Sequence, residues 1–115
     1  INMETLSAPT ISTLSPMIPG QAGEVNSLVA SGLTPNGDVA FIWGLKEGAD
    51  QTANICTSYQ TGISDPGVVT IVRANDSGKL SIEFAVPSSF AGVDVVLQAI
   101  DILTCTGSNV IAETL

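Results

Sequence analysis

The chain has 115 residues, enough for one domain with a single core. Only 12% of them are charged, about half the ordinary share of roughly 25%, and eleven acids against Lys46, Arg73 and Lys79 leave a formal net charge of -8. Three cations cannot neutralise a run of phosphates, which excludes nucleic acid and anionic membrane as partners, and no stretch of about 18 apolar residues is present to insert in a bilayer.

Helical periodicity is absent, while period-2 segments recur between clusters of Gly, Pro, Asn and Asp, so an all-β chain is expected. Residues 10–14 are the first expected strand, inside a segment 1–18 that reads as an N-terminal strand or arm preceding a sandwich domain, 19–115. A second strand covers 24–31. It leads into TPNGD, where Pro35 presets φ and Gly37 tolerates a positive φ, and this turn is expected to fold the chain back as a hairpin. The returning strand is DVAFIWGL, residues 38–45. Side chains alternate across a strand, so Val39, Phe41, Trp43 and Leu45 share one face and Ala40 and Ile42 the other.

Residues 46–67 are the least regular part, with a short strand expected at 56–60. Glu47, Asp50 and Asp65 fall in this loop and Asp76 in a later turn. Calcium wants six to eight oxygens from a compact run, and none is spelled out here, so these acids read as solvated. The pattern then becomes clean: residues 68–74 turn at NDSG into KLSIEFAVP, with Leu80, Ile82, Phe84 and Val86 on one face and Ser81 and Glu83 opposite. In the long strand 93–103, Val95, Leu97 and Ala99 oppose Val96, Ile100 and Ile102. TCTGSN leads to a closing strand. Seven or eight short strands spaced by turns predict an immunoglobulin-like Greek-key β-sandwich.

Chemistry is scarce. With no histidine, Ser-His-Asp and Cys-His machinery is excluded, and no phosphate-binding or nucleophile-elbow motif occurs. A noncatalytic protein without cofactor or metal is expected. Trp43 reads as the core tryptophan of a sandwich, whereas Tyr59 reads equally as core or as surface. Cys56 and Cys105 are either buried thiols or a disulfide, and the disulfide is preferred because small secreted sandwiches use one to supplement a limited core. A chain that begins at Ile1 fits removal of a secretory leader. An extracellular or cell-surface location is therefore expected.

The runs GEVNSLVASGLTPNGDVAFIWG, NDSGKL and VPSSFAGVDVVLQA, with the final CTGSN, resemble an immunoglobulin-like sandwich module of secreted and surface proteins from several bacterial groups. In those modules a Leu-Gln-Ala strand runs into a Cys-x-x-Ser-Asn corner. The resemblance covers residues 19–114 and implies a noncatalytic module with Cys56 joined to Cys105.

A sandwich strand turns one face to the core, so the second apolar rows, Ala40 with Ile42 and Val96 with Ile100 and Ile102, are expected to point outward as a patch that soluble monomers rarely expose. A second copy is the expected cover. Head-to-tail contact would build a filament or surface layer, and residues 1–18, which carry Ile1, Met3, Leu6, Ile11 and Leu14, would either add a strand to a neighbour's sheet or form the first strand of their own sandwich. The alternative is an adhesive module of a larger secreted protein, holding surface carbohydrate, calcium or a protein partner.

Overall fold

A computed structural model describes residues 12–50, 61–64 and 66–115. The strands among these residues are β1 (Thr13–Leu14), β2 (Val25–Ser31), β3 (Asp38–Gly44), β4 (Glu47–Asp50), β5 (Thr61–Ile63), β6 (Gly67–Arg73), β7 (Leu80–Ala85), β8 (Asp94–Asp101), β9 (Thr106–Gly107) and β10 (Ile111–Thr114). Among the described residues a 3-10 turn, Ser88–Phe90, interrupts them.

Period-2 alternation sorts the strands into layers. In β2, Asn26, Leu28 and Ala30 are buried while Val25 and Val29 are exposed. β7 buries Ile82 and half-buries Leu80 and Phe84, with Ser81, Glu83 and Ala85 in water. These two strands join β1 in one antiparallel sheet of order β1-β2-β7. The facing sheet runs β10-β8-β3-β6, with β9 also on β8, and every pairing is antiparallel. One core lies between them: Leu28, Ala30 and Ile82 from the first sheet meet Val39, Phe41, Leu97 and Ala99 from the second. Each large apolar side chain so buried stabilises by about 1.5–3 kcal/mol.

The expected hairpin after TPNGD is not what forms. The turn is there, with the Gly37 amide donating to the Thr34 carbonyl at 3.0 Å, but β2 and β3 belong to opposite sheets. NDSG behaves alike. Asn75 Oδ1 accepts the Ser77 and Lys79 amides at 2.9 Å each, and the chain again crosses from one sheet to the other. Turn residues fix a reversal over four positions; which sheet the chain then joins depends on which apolar faces meet across the core.

Between β3 and β6 the chain forms a separate pair, β4 with β5. The strand expected at 56–60 lies outside the described residues. Polar side chains replace missing ladder bonds at two ends of the sandwich. Asn26, fully buried, accepts the Gly20 and Gln21 amides on Oδ1 (2.6 and 3.0 Å) and donates from Nδ2 to the Gln21 and Glu24 carbonyls (2.9 and 3.0 Å). Asp101 Oδ2 accepts both the amide and the hydroxyl of Thr34 at 2.8 Å, holding the β2–β3 crossing to β8.

Candidate functional site

The two-faced strands β3 and β8 lie side by side, Phe41 opposite Ala99 and Ala40 opposite Ile100. Their second faces form a separate apolar cluster of Ala40, Ile42, Val96 and Ile100. This cluster is not a patch open to a second copy: Ile42 and Ile100 are 0% exposed. Ile63 of β5 lies in the same cluster, and Ile102 and Val110 pack against it half-buried. The expectation that Ala40, Ile42, Val96, Ile100 and Ile102 dock another subunit is therefore corrected, because the chain supplies the cover itself.

The local sequence makes that cover fit. Gly44 leaves room where a Cβ would collide with Ile63 Cγ2. Gln98, in the middle of the apolar row, accepts the Gly62 amide on Oε1 at 2.9 Å and donates from Nε2 to the Ser108 carbonyl at 2.8 Å. It thereby ties β5 and the segment before β10 to the sheet they cover. Alternation marks residue 98 as belonging to this face, but a lone Ile63 in an irregular stretch gives no signal that it returns there.

Of the N-terminal segment 1–18, the described part is a strand of its own sandwich. Leu14 is buried at 2% exposure and paired with Ala30. Its amide donates to Asn109 Oδ1 at 2.7 Å, Asn109 Nδ2 donates to its carbonyl at 3.1 Å, and the Met17 amide donates to Glu113 Oε2 at 3.0 Å. Leu14 thus belongs to the core of its own chain. Ile1, Met3, Leu6 and Ile11 lie outside the described residues.

Apolar side chains do reach water elsewhere. Val68 and Ile71 on β6 are 48% and 54% exposed, and Ile18, Val25 and Val29 are exposed on the outer face of the first sheet. The alternation of VNSLVAS marks Val25 and Val29, whereas in VVTIV only Thr70 is polar and the bulge at Val69 breaks the period of two, so the pattern conceals that Val68 and Ile71 both face outward. β6 ends its sheet and pairs only with β3 among the described strands.

A groove of about 280 Å³ opens at the end of the sandwich where β3 and β7 finish and β6 and β8 begin. Trp43, Phe84, Phe90 and Leu97 line it. Trp43 is half-buried, its ring 5.8 Å from Phe90 and inclined at 60°, and its Nε1 edge lies so close to Gly67 that a Cβ there would stand 2.9 Å away. The expected core tryptophan is thus also a groove wall.

Charged groups converge nowhere in the described part. Arg73 Nε and Asp38 Oδ1 stand 3.9 Å apart, both well exposed, and no three Asp, Glu or Cys side chains among the described residues gather closely enough to hold a metal. Cys105 Sγ lies 3.5 Å from the Ile102 carbonyl oxygen, and no described cysteine is a free thiol. Cys56 lies outside the described residues. The class so defined is an all-β chain of stacked antiparallel sheets whose notable surfaces are apolar. Comparison with protein families, curated proteins and solved structures finds no match.

Proposed function

We propose that this chain is a noncatalytic, extracellular structural subunit that associates head to tail with copies of itself into a filament or surface layer. The observation that carries the reading is β6. This seven-residue terminal strand exposes Val68 and Ile71, contains no proline, and has Arg73 as its single charge. Sheet edges of free monomers are usually guarded by charges, prolines or bulges that prevent strand pairing between molecules. β6 does carry one bulge, Val69 being the extra residue between Thr70 opposite Phe41 and Val68 opposite Ile42, but along the rest of its edge it has neither an acid nor a proline.

The immunoglobulin-like Greek key belongs to the same proposal, as does kinship with bacterial surface modules. The order β1-β2-β7 against β10-β8-β3-β6, with successive crossings between sheets, supports it. A disulfide between Cys56 and Cys105, which would tether the loop before β5 to the exit of β8, belongs to the same proposal. An adhesive module for carbohydrate or calcium draws less support, since Trp43 is turned into a groove and no group of three Asp, Glu or Cys side chains that could hold a metal occurs among the described residues.

Size-exclusion chromatography and negative-stain electron microscopy of the native chain test the proposal. Regular polymers are expected from micromolar concentrations upward. A chain that stays monomeric at millimolar concentration would sink it.

A further inference from the structure

We infer that the groove beside Trp43 receives residues 1–11 of a second copy. This rests on the self-association proposed above and gives it a donor and an acceptor. The acceptor is a break in the sandwich. Its walls come from both sheets, Val69 on β6 and Phe84 on β7, which are the terminal strands of those sheets, and no described strand joins one to the other. An apolar interior is therefore open beside an edge of β6 that no described strand pairs, next to the bulge at Val69. A cavity near 150 Å³ holds one benzene-sized group, so about 280 Å³ takes roughly two apolar side chains from an added strand, while the β6 edge offers backbone hydrogen bonds.

The donor is identified by where it leaves the fold. Val25 pairs with Ala85 and Ala30 with Leu80, so β2 starts at the groove and ends at the opposite pole. Thr13 pairs with Ser31, which puts the entry of β1 at that far pole, about 20 Å away at the usual rise per strand residue. β1 runs toward the groove, so its entry lies at the pole opposite the groove. Eleven extended residues span roughly 36 Å, enough to enter the next copy. Residues 1–11 carry Ile1, Met3, Leu6 and Ile11 with Glu4 as the single charge, a composition matched to an apolar groove. Donor and acceptor at opposite poles make the contact heterologous, and heterologous contacts propagate.

The test places a photo-crosslinking benzophenone at position 3 of the full chain, in an equal mixture of unlabelled and nitrogen-15 chains. Crosslinks to the 84–90 peptide in mixed-isotope pairs are expected. Ala85→Trp, a bulky residue at an exposed rim position, should cut their yield at least tenfold while circular dichroism stays unchanged. Crosslinks within one chain would put the segment in its own groove and overturn the inference. Polymers whose crosslinks map elsewhere, or survive Ala85→Trp undiminished, would also overturn it while leaving self-association standing. Monomers alone would remove both.

Discussion

Asn26 shows how one polar residue is made to fit a core. Its side chain is fully buried with all four bonds made, each to the backbone of the turn between β1 and β2. Removing it orphans two amides and two carbonyls, and an unsatisfied buried group costs about 1–3 kcal/mol. Water reaches part of this turn, since Gln21 and Glu24 are exposed. Asn26→Ala should therefore destabilise by about 3 kcal/mol in urea unfolding, and Asn26→Asp, which keeps the two acceptor bonds, by less. Equal losses for both variants would show that the amide donors, and not the turn amides, carry the effect. From the sequence, residue 26 is legible as inward-facing by alternation. Its role is not, because its partners are backbone groups that any residue in the turn would present.

At the level of elements, the strands and their faces were largely legible. The inward row Leu80, Ile82, Phe84 and Val86 follows from period 2 alone, because only one side of β7 is apolar. β3 and β8 resist the same logic: two apolar faces announce two covers but name neither. The second cover contains Ile63, fully buried, from a stretch with no periodicity of its own. Ile63→Ala should cost about 2–5 kcal/mol, the usual range for emptying a packed aliphatic site, and should raise binding of a hydrophobic dye as Ile42 and Ile100 become accessible. A loss below 1 kcal/mol would mean that the cover does not depend on β5. The proposed Cys56–Cys105 bridge would hold this cover from outside. Closing some fifty residues stabilises by roughly 4 kcal/mol on the loop-entropy model, so reduction should lower the melting temperature markedly, and alkylation without reduction should modify neither cysteine.

For the whole molecule, the sparse charge sets how copies meet. Each carries a formal net charge of -8, so copies repel until salt shortens the screening length, which falls from about 30 Å at 0.01 M to about 8 Å at 0.15 M. The acceptor, the β6 edge and the groove, contains Arg73 and no acid, and the donor residues 1–11 carry Glu4 alone, so the contact is chiefly apolar and backbone-mediated and is little weakened by screening. Added sodium sulfate strengthens apolar association further, being excluded from protein surface. The critical concentration for polymerisation should consequently fall as sodium chloride rises from 0.01 to 0.15 M, and fall again when sulfate replaces chloride at equal ionic strength. Sedimentation of polymer across that series provides the measurement. Polymers that dissolve as salt increases would instead be held by ion pairs, and a contact made through β6 and the groove could not be what joins them.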